Sequence, residues 1–118
     1  KEINANDPQL NFGKGYDHNF VLSKEKEGDW YKAAHVVGDK SGIVMDILTM
    51  EPGIQFYSGN FMNELVQLKN GKKDSFRTGF CLEPQHFPDA PNQLAFPTTI
   101  LNPGEVYQTK SLYRFSVK

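Results

Sequence analysis

Apolar residues in this chain come in short alternating runs and almost nowhere at helical intervals, which constrains the fold more than any other feature. The run Val106–Val117 is the clearest case. Tyr107, Tyr113, Phe115 and Val117 fall on one face of an extended chain, with Gln108, Lys110 and Arg114 on the other. Further runs rich in β-branched and aromatic residues predict strands over His18–Leu22, Ala33–Val37, Ile43–Met50, Ile54–Tyr57 and Gly79–Glu83. Breakers separate most of them. Glu51-Pro52-Gly53 and Asn102-Pro103-Gly104 each put Pro and Gly at the centre of a type II turn. Gly38–Gly42 reads as a hairpin loop, and KNGKKD, residues 69–74, as an exposed charged loop. The one helical candidate, Phe61–Leu68, is short and stops at Asn70-Gly71. The pattern predicts an all-β, antiparallel fold, either a sandwich or a barrel.

Bulk properties narrow the function classes. At 118 residues the chain is at most one domain, and a 38% hydrophobic content suffices for a core and excludes disorder. Thirteen basic against fourteen acidic residues, net −1, leave no field for holding phosphate backbones, so nucleic acid is not an expected partner. The single cysteine, Cys81, excludes an internal disulfide and a CxxC metal knuckle. It fits a reducing compartment, which favours the cytoplasm without fixing it. No apolar stretch approaches the roughly 18 residues that a membrane span needs. The chain begins at Lys1 with a polar stretch unlike a signal peptide, and the expectation is that it belongs to something longer.

Chemistry concentrates at strand ends. In Phe80-Cys81-Leu82-Glu83, alternation puts Cys81 and Glu83 on one face. Pro84 keeps Glu83 extended and lacks the amide hydrogen of a regular ladder, so pairing is expected to fail there. Glu83 then reads either as a surface carboxylate paired with a lysine or as a carboxylate aimed into an aromatic-lined cleft. In the second case desolvation would tune it as a general base. A recurrence favours the second reading. Asp17 in GYDHNF and Gln55 in PGIQFY, like Glu83, sit at or near strand ends beside aromatics. Carboxylates and amides bind sugar hydroxyls in pairs, while flat rings cover the C–H faces.

The segments GYDHNFVL, SGIVMDILTMEPGIQFYSGNF and FCLEPQHFPDAPNQLAFPTTILNPGEVYQTKSLYRF resemble the carboxyl-terminal part of the galactose mutarotase (aldose 1-epimerase) family, from about Asn11 to the end. The resemblance implies a large antiparallel β-sandwich, with residues 1–118 as the carboxyl-terminal segment of a single domain. It implies an isomerase that interconverts the α- and β-anomers of free aldohexoses such as galactose and glucose, with no cofactor and no metal. Glu83 matches the family's catalytic base, and Asp17 and Gln55 match residues that hold sugar hydroxyls. The family's acid is a histidine in the amino-terminal half, and His18, His35 and His86 do not occupy its motif. The expectation is therefore a piece that carries the base and part of the pocket. Its cut strand edges would pair with the missing half or with another copy. A non-catalytic carbohydrate-binding module is the alternative.

Other residues receive structural readings. Cys81 is expected to be a buried, inert thiol. Trp30 and Tyr31, after the charged run Lys24–Asp29, pack at a strand start. His18 and His86 are expected to orient a neighbouring carboxylate or to stabilise a turn, and His35 is an ordinary strand residue. Asp89 belongs to a rigid Pro-Asp-Ala-Pro turn, where Asn92 and Gln93 bond backbone groups. His18, His86 and Asp89 lack the spacing of a metal site.

Overall fold

The computed structural model describes residues 2–23 and 26–118, so Lys1, Lys24 and Glu25 lie outside it. One short helix, α1 (Pro8–Gly13), precedes seven strands: β1 (Asp17–Val21), β2 (Lys26–Glu27), β3 (Trp30–Val37), β4 (Ile43–Thr49), β5 (Gly53–Tyr57), β6 (Cys81–Gln85) and β7 (Ser111–Val117). The strands form a three-stranded sheet in the order β1-β5-β6 and a four-stranded sheet in the order β2-β3-β4-β7. Two compact units divide the chain. One is Lys1–Asn19 with Gln55–Glu83, and the other is Phe20–Ile54 with Pro84–Lys118.

The four-stranded sheet lies within the second unit and is antiparallel at every pairing. Gly38–Gly42 closes the β3–β4 hairpin as expected. The Gly38 amide donates to the Ile43 carbonyl at 2.8 Å, and Gly42 supplies the positive φ of +67°. β4 carries the buried residues Val44, Ile47 and Thr49. Ile47 is nearly inaccessible, a burial that stabilises by roughly 1.5–3 kcal/mol. Thr49 stays buried because its hydroxyl is bonded to Ser111 Oγ at 2.8 Å and accepts the Glu51 amide at 3.1 Å.

The last strand differs from expectation. β7 starts at Ser111 and not at Val106, and all its residues are exposed. The expected apolar face therefore exists in sequence but is not buried among the described residues. β7 is an edge strand, paired with β4 alone. Upstream, Pro103-Gly104 does form its turn: Glu105 N–H donates to the Asn102 carbonyl at 3.0 Å, and Gly104 has φ +89°. Pro52-Gly53 does not turn in that way, because Gly53 opens β5.

One further local reading is corrected. Phe61–Leu68 is not helical: the three apolar positions that could share a face, Phe61, Leu65 and Leu68, are all exposed and supply no buried surface to offset the cost of nucleating a helix. The real helix, α1, is a capping product. Asp7 accepts hydrogen bonds from the Gln9 and Leu10 amides at 2.8 and 3.2 Å, and Pro8 occupies the first turn. Residues 69–74 are exposed or half-buried and form a small excursion, closed by the Leu68 amide on the Lys72 carbonyl at 2.6 Å.

Candidate active site

Asp17, Gln55 and Glu83 fall on the three neighbouring strands β1, β5 and β6, and all three lie in the first unit. Gln55 sits on the central strand. Its amide Nε2 donates to Asp17 Oδ1 at 2.8 Å. Glu83 and Cys81 alternate with Leu82 along β6, so the two share a face. The Cys81 thiol stands above its ordinary pKa, first through partial desolvation and then through the charge of Glu83, a hydrogen bond to Glu83, and the charge of Asp17. A raised thiol pKa keeps the sulfur protonated and a poor nucleophile. The burial expected of Cys81 is not met, since its side chain is exposed.

Alternation separates the polar and aromatic groups of this sheet. Tyr16 and Phe56 stand with centroids 5.4 Å apart, and Phe56 meets Phe80 edge-on at 6.3 Å. Their positions alternate with Asp17, Gln55, Cys81 and Glu83, so the rings form a row behind the polar face. The expected aromatic cover over the hydroxyl-binding groups does not come from these rings. Tyr57 shares the parity of Gln55, and its hydroxyl accepts the Phe61 amide at 2.9 Å while the two rings stack with centroids 6.4 Å apart. Asp17 and Glu83 are exposed and Gln55 is half-buried. The polar face is thus open to solvent.

A buried neutral network sets the Asp17–Gln55 spacing. Ser58 N–H and Asn60 Nδ2 both donate to the Tyr16 carbonyl, at 3.0 and 2.7 Å. Tyr16 N–H donates to Ser58 Oγ at 3.0 Å, and that hydroxyl reaches Asn60 Oδ1 at 2.7 Å. The residue before Asp17 is therefore tied to the residues after Tyr57. Gly15, at φ +137°, has no room for a Cβ, which would overlap Asn60.

Pro84 lies inside β6, which runs on to Gln85, so pairing does not fail there as expected. β6 is an edge of this sheet, and an edge strand tolerates a residue without an amide hydrogen. His18 behaves as an orienting group, although toward backbone: its Nδ1 accepts the Asp17 amide at 2.9 Å.

In the second unit His86 stands with Nδ1 2.7 Å from Glu51 Oε2, and Tyr107 donates to Glu51 Oε1 at 2.6 Å. Burial pushes the Glu51 carboxyl up, but the Tyr107 and Thr109 hydroxyls and His86 outweigh it and hold the group below its ordinary value. Sequence reasoning passed over Glu51, whose only local signal is a carboxylate beside Pro52-Gly53. His35 is more than a plain strand residue. Its Nδ1 pairs with Asp46 Oδ1 at 2.6 Å, and Arg114 reaches the other oxygen at 3.3 Å, along one rung of the sheet. Asp89 accepts from Asn92 Nδ2 at 2.5 Å and Gln93 Nε2 at 2.7 Å, so those side chains bond the Asp89 carboxylate and not backbone. Trp30 opens β3 and is half-buried. Among the described residues no three His, Cys, Asp or Glu side chains converge as metal ligands, and no helix is long and apolar enough to cross a membrane.

Comparison with known proteins decides the family. The family model described as aldose 1-epimerase matches residues 1–114. The chain belongs to the aldose 1-epimerase family. Galactose mutarotase of Homo sapiens is 44% identical over 103 residues, covering 87% of this chain and 30% of its own. The aldose 1-epimerase of Escherichia coli (strain K12) is 36% identical over 117 residues, covering 97% of this chain and 33% of its own. A crystal structure of a GalM/aldose epimerase homologue from C. elegans superposes with a TM-score of 0.76 at 30% identity, over 86% of this chain and 30% of that one. This chain therefore has the all-β, antiparallel fold of the aldose 1-epimerase sandwich. It spans 30% of the length of the human relative and 33% of the bacterial one.

Proposed function

We propose that the face bearing Asp17, Gln55 and Glu83 is the base side of an aldose 1-epimerase site, acting on free aldohexoses such as galactose or glucose. The observation that carries this reading is the 2.8 Å bond from Gln55 to Asp17 on the strands beside the one that bears Glu83. A carboxylate and an amide locked together present a fixed array of acceptors and donors to neighbouring hydroxyls. Glu83 takes the proton from the C1 hydroxyl while an acid protonates the ring oxygen, and the C1–O5 bond breaks to give the open aldehyde. Rotation about C1–C2 followed by closure on the other face gives the second anomer. As the ring closes, the O5 proton returns to the acid and Glu83 returns its proton to the C1 oxygen, so nothing is consumed and no cofactor is required. The acid is a histidine outside these 118 residues, as the family resemblance implies. In the same reading, residues 1–118 are the carboxyl-terminal segment of one larger sandwich, whose remainder, or a second copy, covers the exposed edge of β7.

Acid or base assistance contributes typically ~10²–10⁴-fold each, roughly 3–5 kcal/mol of barrier. Polarimetry on fresh α-D-galactose with the full-length protein tests the assignment. Glu83→Gln should slow mutarotation by at least about 10²-fold, whereas an unchanged rate would remove Glu83 as the base. A binding-only module would keep its sugar affinity in this variant and show no catalysed rate in the parent either.

A further inference from the structure

Among the described residues Glu51 is the one charged side chain that is buried, at 4% exposure. Burying a carboxylate is costly unless partners compensate it, and one such residue outside the site calls for a reason. Its partners are Tyr107 at 2.6 Å and His86 at 2.7 Å, both in the second unit with it. Their positions in the chain are informative. Glu51 stands two residues before β5 and four before Gln55. His86 directly follows β6 and stands three residues after Glu83. β5 and β6 are neighbours in their sheet. Pro84, between Glu83 and His86, lies within β6, which runs on to Gln85. A one-residue slip of β6 against β5 would turn Glu83 to the opposite face.

We propose that Glu51 and His86 are positioning residues for the epimerase site, a clamp whose pairing fixes where β6 delivers Glu83 beside Gln55. The proposal rests on the aldose 1-epimerase reading above. The clamp touches no substrate. It ties the residue two before β5 to the residue that follows β6, and Tyr107 holds the other carboxylate oxygen.

The test is a double-mutant cycle in the full-length protein. Glu51→Gln, His86→Ala and the double variant are assayed by polarimetry on α-D-galactose, with Glu83→Gln in parallel and each assay run well below the variant's own melting temperature. Misplacing a reacting group by about 1 Å costs up to ~10²-fold, so each single variant should lower kcat about tenfold or more. The double variant should be no slower than the slower single one, because both remove the same interaction. His86→Asn keeps a side-chain N–H near the Nδ1 position and should recover most of the rate. A lower melting temperature with unchanged kcat in the folded variants, or fully additive losses, would overturn the clamp. If Glu51→Gln does not fold, the half-exposed His86 still decides through its Ala and Asn variants. Loss of activity in Glu83→Gln alongside wild-type kcat in His86→Ala removes the clamp alone. An unaffected Glu83→Gln removes the epimerase reading and the clamp with it.

Discussion

Two buried polar clusters bracket β5 in the chain, and they are built from opposite chemistry. After the strand, Ser58, Asn60 and the Tyr16 backbone make a neutral network of bonds between 2.7 and 3.0 Å. Before it, Glu51, His86 and Tyr107 make a charged one. The neutral cluster satisfies its donors and acceptors at any pH and depends on close packing around Gly15. The charged cluster can bury its ionised carboxylate only while hydrogen-bonding partners compensate the charge. The contrast shows that position can be secured by shape or by charge, and that only the second responds to acid.

Substitutions that attack each cluster in its own terms separate them. The larger effect belongs to the neutral cluster. Gly15→Ala forces a side chain into Asn60 at a backbone angle that few L residues adopt, and should destabilise by about 3 kcal/mol. A thermal melt should show the midpoint falling by about 10 °C, at neutral and at acid pH alike. An unchanged midpoint would mean that the Tyr16–Asn60 contacts do not hold β1 to the end of β5.

The charged cluster should give a smaller, pH-dependent loss. Glu51 is held below its ordinary pKa in the folded chain. Its contribution is therefore fully present above the ordinary carboxylate range and is lost as pH falls through the lowered folded value. Glu51→Gln should cost about 1–2 kcal/mol at neutral pH. Denaturant titrations at decreasing pH should show wild type and variant converging. A gap that stays constant into acid would show that the Glu51 charge plays no part.

Much of the architecture could be read from residue order, because strand formation here follows local pattern. Ile43–Thr49 and Ile54–Tyr57 announce themselves by β-branched and aromatic content, and Gly38–Gly42 by its glycines. Helix α1 was missed since its signal is a cap, Asp7-Pro8, without apolar periodicity. The aromatic cover expected over Gln55 and Glu83 fails for a different reason. Adjacency in sequence puts aromatics beside Gln55 and Glu83, but alternation sends them to the other side of the sheet. Asp17, Gln55 and Glu83 could be picked out as residues, yet the bond between the first two spans 38 positions and only the folded sheet reveals it. The pairing of Glu51 with His86 was equally invisible, being a long-range match of two residues that each look ordinary where they stand.

The account stands on where an aldose would bind. A crystal structure of the full-length protein with D-galactose should place the C1 hydroxyl about 2.6–3.2 Å from a Glu83 oxygen, with Asp17 or Gln55 on neighbouring hydroxyls. A sugar ordered on another surface, leaving all three side chains in solvent, would contradict it.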